Sequence, residues 1–116
     1  MIDEWVREIK ENYDPEPLGM ILVHNGIVRG TARDGKPVKG MKLSYDKNAL
    51  ENCVARLKNR EGITAIRIWI NSGVLSIGDD IMYLLVAGRF RTDVLPVLED
   101  LLATVKNEII QEEELK

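Results

Sequence analysis

Three runs of residues oblige this chain to build a sheet: Met20-Ile21-Leu22-Val23, the segment Ile63 to Ile70, and Ile81-Met82-Tyr83-Leu84-Leu85-Val86. An unbroken apolar run is the mark of a strand covered on both faces. The Ile63–Ile70 segment is rich in β-branched residues and carries Trp69, which suits a pleated, packed surface. None of the runs approaches the roughly 20 residues that a membrane-spanning helix needs. The sheet must therefore find its cover within the protein.

The cover comes from helical periodicity. Ile2, Trp5, Val6 and Ile9 share one helical face, with Asp3 as a candidate N-cap. Ala49, Leu50, Cys53, Val54 and Leu57 repeat at the same spacing behind Asp46, a second cap. A last helix is expected from about Thr92, its stripe formed by Leu95, Leu98, Leu101, Leu102, Val105 and Ile109, with Glu112-Glu113-Glu114 as its solvated, fraying end. Val38 to Tyr45 alternates as a half-exposed strand, and Val74 to Ile77 makes a short one between turns at Asn71-Ser72-Gly73 and Gly78-Asp79. The predicted order is α-β-β-α-β-β-β-α. This is an α+β fold, with a mixed or antiparallel sheet and helices packed on one side. With 116 residues, one domain over 1–116 is expected.

Charge and cysteine content narrow the function. A net charge of −3 argues against nucleic acid as a partner. Cys53 is the only cysteine, so no internal disulfide can form, and it reads as a small buried hydrophobe. One histidine and one cysteine, with no carboxylate pair at ligand spacing beside either, give no metal or cofactor site. The acidic, amphipathic N-terminus is unlike a signal peptide, so a cytoplasmic protein is expected.

The segment His24-Asn25-Gly26-Ile27-Val28-Arg29-Gly30 is where chemistry is expected. Arg29 ends an apolar strand between two glycines, on a loop with Arg33 and Lys36, as an anion clamp would. The plainer alternative is a solvated loop arginine. Arg89 and Arg91 similarly precede a helix N-terminus, and Arg29, Arg91 and that helix end together would suit a phosphate or carboxylate. Lys106 borders the last helix's apolar stripe, where a lysine either snorkels to water or serves as base or nucleophile. His24 reads as a structural histidine. The stretch Gly30 to Lys36 nearly spells a P-loop, but Pro37 and a strand pattern follow where a hydroxyl residue and a helix are required.

In order and spacing, Gly26-x-Val28-Arg29, Gly73-x-Leu75-x-x-Gly78-Asp79, the strand Asp80 to Ala87, Arg91 and Lys106 resemble the large, catalytic subunit of molybdopterin synthase. The resemblance implies an α/β hammerhead-like fold and a homodimer. It implies a small ubiquitin-like sulfur carrier as partner, whose C-terminal Gly-Gly thiocarboxylate gives sulfur to cyclic pyranopterin monophosphate in molybdenum or tungsten cofactor formation. By position it implies Arg29 and Arg91 as substrate-binding residues and Lys106 as catalytic. Two positions depart from the family: Phe90 stands where a histidine precedes the arginine, and Glu113 where a second active-site lysine is expected; the family's Pro-x-Trp-Lys stretch is also missing. Three readings are therefore carried: a sulfur-transferring enzyme, a non-catalytic relative that binds the carrier or regulates the synthase, and an unrelated α+β dimerisation or ligand-binding module.

Overall fold

The computed structural model describes residues 1–116. In chain order the elements are α1 (Ile2–Asn12), β1 (Met20–Ile27), β2 (Gly40–Tyr45), α2 (Lys47–Lys58), β3 (Ile63–Ile70), β4 (Gly73–Ser76), β5 (Asp80–Gly88), α3 (Arg91–Thr104), a π turn (Val105–Ile109) and β6 (Ile110–Leu115). They form two three-stranded sheets, ordered β1-β5-β3 and β4-β2-β6, and every strand pairing is antiparallel. The α+β expectation holds, with the antiparallel alternative realised.

The central strand explains the layering. Leu84, Leu85, Val86 and Ala87 of β5 are fully buried in succession. Leu84 and Val86 join the larger core with Leu57 of α2 and Val94, Val97 and Leu101 of α3. Leu85 and Ala87 point the other way, into a smaller cluster with Ile9 of α1 and Ala65 of β3. Helices therefore cover both faces of this sheet, not one, because an all-apolar strand has no face to give to water.

Local signals hold in part. Asp46 caps α2 by accepting the Ala49 N–H at 3.1 Å. The expected cap at Asp3 does not form, nor does Thr92, where the last helix was expected to begin, cap α3. Met1 and Phe90 take those places without side-chain capping bonds, and Asp3 and Thr92 lie inside the first turns. The buried stripe of α3 is Val94, Val97 and Leu101, continued by Val105 and Ile109, whereas Leu95 is exposed. Leu98 and Leu102 pack half-buried beside that stripe, so of the expected residues only Leu95 turns out to water, and Val94 and Val97 join on the other side.

The largest departure is at the C-terminal end. The Glu112–Glu114 run is not a frayed helix end. The helical path widens into the π turn, and β6 then pairs with β2 from Tyr45↔Ile110 to Gly40↔Leu115. Ile109 and Ile110 are both buried. The turn and the change to extended backbone carry this adjacent pair into the core, and β6 satisfies the backbone groups of β2 on the side away from β4.

Candidate functional site: a groove between the two sheets

Where β1 runs out, it is tied to the turn before β5. Val28 N–H donates to the Asp79 carbonyl and Gly78 N–H donates to the Val28 carbonyl, each at 2.9 Å. Gly78 has φ +90°, a conformation that favours glycine. The register shifts between Gly26 and Ile27, where β5 carries Ile81 as an extra residue. Such bulges re-aim side chains beside functional sites. Here Ile81 and its neighbour Met82 both line one groove.

That groove has a volume of about 560 Å³. Its walls come from the end of β1, the 31–38 loop, the start of β2, the bulged part of β5, the π turn and β6. The floor is apolar, with Val28, Val38, Met41 and Met82 nearly fully buried. Gly40 is needed at the edge of that floor, because a Cβ there would stand 2.4 Å from the Leu75 carbonyl oxygen. The loop closes as a hairpin through the Thr31–Pro37 bridge and enters a strand, so the P-loop reading fails on its geometry as it did on its residues.

Five charged side chains line the groove: Arg29, Arg33 and Lys106 against Glu112 and Glu114. None of the three cations belongs to an ion pair of the chain. They are therefore available to an anionic ligand, above an apolar floor that lowers the local dielectric constant. His24 lines the same groove. Burial first, and then the Lys106 ammonium, hold its imidazole below the ordinary value of 6.5, so it is neutral at pH 7.

Two of the three expected site residues meet: Arg29 and Lys106 share the groove. Arg91 does not join them within one chain. It lies three residues past Gly88, which pairs with Met20 at the start of β1, whereas Arg29 follows the end of that strand. Eight strand residues at roughly 3.3 Å each separate the two by about 26 Å. The pocket of Arg29, Arg91 and a helix end is therefore absent from the single chain. Phe90 beside Arg91 is 58% exposed, with the Arg89 guanidinium 4.9 Å from its ring centre.

The acidic departure is also relocated. Glu113 lies opposite Lys42 in the β2–β6 pairing, and strand alternation turns it away from the groove that its neighbours Glu112 and Glu114 line. His24, Glu112 and Glu114 are groove residues that the sequence reading did not place there. For His24 a signal existed, since it shares a strand face with Gly26 and Val28. For the glutamates there was none, because three successive acids carry no alternation. Elsewhere, Cys53 is buried on α2 and its thiol is pushed up, chiefly by burial. No group of three or more His, Cys, Asp or Glu residues is placed to hold a metal ion, and no helix is long and apolar enough to cross a membrane.

Comparison with known proteins adds family evidence. The model of the MoaE protein family matches residues 2–108, ending just before β6. An uncharacterised protein of Methanocaldococcus jannaschii is 31% identical over 109 residues, covering 90% of this chain and 87% of its own. Among solved structures, molybdopterin synthase from Staphylococcus aureus superposes with a TM-score of 0.72 at 20% identity, over 94% of this chain and 82% of that one. The molybdopterin biosynthesis MoaE protein from Burkholderia ambifaria gives 0.77 at 21%, over 99% and 82%. A chain from the complex of subunits 1 and 2 of molybdopterin-converting factor from Helicobacter pylori gives 0.71 at 19%, over 97% and 77%. At such identities these superpositions establish a common fold.

Proposed function

Because the chain belongs to the MoaE protein family, we propose that it acts in molybdenum or tungsten cofactor formation as the sulfur-transferring large subunit of a molybdopterin-synthase-type enzyme. The observation that carries this reading is the meeting of Arg29 and Lys106, both without ion-pair partners, over the apolar floor of one groove. Its two reactants are anions: the phosphate of cyclic pyranopterin monophosphate and the C-terminal thiocarboxylate of a small ubiquitin-like carrier. Arg29 offers a planar fork of N–H donors suited to phosphate or carboxylate. The Lys106 ammonium is a compact charge that can stabilise negative charge developing on the thiocarboxylate carbonyl oxygen and supply a proton. A groove of about 560 Å³ with an apolar floor and charged side chains suits an extended Gly-Gly tail and a fused heterocycle with polar ends.

The homodimer belongs to the same proposal and gives Arg91 its role. With about 26 Å of strand between Arg91 and the groove of its own chain, it can reach a bound substrate only as part of a second copy. The reaction's setting is the cytoplasm, where one unpaired thiol and no disulfide are in keeping with the redox environment.

Reconstitution tests the reading. The chain is mixed with a thiocarboxylated carrier and cyclic pyranopterin monophosphate, and dithiolene product is measured. Turnover is expected, with a fall of about 10²–10³ on Arg29→Ala, the usual scale for removing one preorganised charge-stabilising donor. Undiminished turnover in that variant removes Arg29 from the site. A second reading, a non-catalytic relative that binds the carrier, is favoured by Glu112 and Glu114 standing in the groove as counter-charges. No product, with the carrier still captured, decides for it.

A further inference from the structure

His24 is the only histidine of the chain and has no part in the reading above. Its ring lies over bare backbone: a Cβ on Gly26 would stand 3.7 Å from His24 Nε2 and 3.6 Å from Met82 Cγ. No hydrogen bond within the chain contributes to its titration. Lys106 of the π turn is the charged group that acts on it; Arg29 and Arg33 from the end of β1 and the loop, Glu112 and Glu114 from β6, and Ile81 and Met82 from β5 line the same groove. Burial and the nearby ammonium oppose a charge on this imidazole. An anion in the groove outweighs both, since it offsets the field of Lys106 and gives the ring N–H a charged acceptor in place of lost water.

We propose that His24 is a proton acceptor of the groove, taking up a proton together with the anion that Arg29 and Lys106 attract. This rests on the anion-binding reading of the groove and gives it a third group. The ligand class is a phosphate- or thiocarboxylate-bearing anion. Its binding and the protonation of His24 favour each other, because each adds an attractive partner for the other. Anion affinity therefore rises as pH falls through the ordinary histidine range, by at most about tenfold per pH unit for one linked proton. Once formed, the imidazolium N–H lies where a proton can be returned to a group bound in the groove.

The single histidine makes the test direct, since the full chain has one set of imidazole resonances. These are followed by NMR through a pH titration with sulfate as the probe, which keeps its charge across the range, against sodium chloride at equal ionic strength. Sulfate is expected to raise the pH at which His24 titrates. Lys106→Met should raise it without sulfate, and Arg29→Ala should weaken the sulfate response. In the parent chain, sulfate affinity should increase about tenfold from about pH 7.5 to about pH 5.5, and less than twofold in His24→Gln. Sulfate that perturbs backbone signals of the groove while leaving the His24 titration in place overturns the proposal and spares the anion groove. Equal pH dependence in His24→Gln does the same. Sulfate that perturbs no groove signal overturns the anion groove itself, and this proposal with it.

Discussion

The neutral imidazole of His24 has a consequence for stability as well as for binding. Folding lowers its proton affinity, through burial and then through Lys106. Below the ordinary value of 6.5 the unfolded chain gains a proton that the folded chain resists. This contribution to stability is complete above that value and is lost as pH falls through it towards the lower folded value. The urea midpoint is therefore expected to fall between about pH 7.5 and about pH 5.5, with a flatter profile in His24→Gln. A slope unchanged in that variant would place its origin elsewhere. Asp80 and Asp100, also held below their ordinary value of 3.8, lose stability only at more acidic pH. For Asp80 the causes are hydrogen bonds from Tyr83 and Asn25. For Asp100 burial acts in the opposite direction, and the hydrogen bond from Arg60 leads the groups that outweigh it. At this scale the chain order pointed to the groove through Arg29 and left His24, which lines it too, as a structural residue. Glycines on either side of an arginine at a strand end are visible in the chain order. What faces a histidine across a groove is not.

Among the elements, β6 is the one whose conformation changes the chemistry. A helix over residues 105–113 would have set Glu113 on the same side as Lys106, seven positions away. The π turn and strand put Glu112 and Glu114 into the groove instead. Charge-reversal variants report this register. Glu112→Lys and Glu114→Lys should each tighten sulfate binding by about three- to tenfold at low salt, as expected when a nearby partly solvated charge changes sign. Glu113→Lys should change it less than twofold, because its side chain projects from the other face of the sheet. A larger effect at Glu113 than at its neighbours, read by calorimetric titration, would refute the strand register. The other strands were legible because burial imposes a visible pattern: Ile63–Ile70 begins and ends where the β-branched run does. For β6 no such pattern exists, since four exposed residues, Gln111 to Glu114, follow a helical stripe that continues to Ile109. Only its pairing with β2 makes it a strand.

At the scale of the whole molecule, the proposed part of Arg91 depends on a second copy of the chain. It opens α3 at the end of the β1-β5-β3 sheet remote from Arg29. In a homodimer whose groove draws Arg91 from the second copy, Arg29→Ala and Arg91→Ala chains should complement each other. Random mixing of two inactive variants then restores about a quarter of the parent turnover, because half the dimers are mixed and each of these has one intact site. A mixture no more active than its components would remove Arg91 from the site. Phe90, more than half exposed beside it, is not held in place by the core of its own chain.

By itself, the order of residues determined that this chain builds sheets covered by helices, that α2 starts behind Asp46, that Arg29 follows its first strand, and that Gly73 and Gly78 mark turns. Those outcomes follow from interactions within a few positions: apolar runs, helical spacing, a capping carboxylate and glycine's freedom at positive φ. Tertiary structure alone decided that helices lie on both faces of β5, that Val94 and Val97 rather than Leu95 complete the buried face of α3, and that the acidic end becomes a strand. It also decided that His24, Lys106, Glu112 and Glu114 share one groove while Arg91 stands apart. Each of these depends on which surfaces meet across the two sheets, and contact between residues distant in the chain carries no local period from which it could be read.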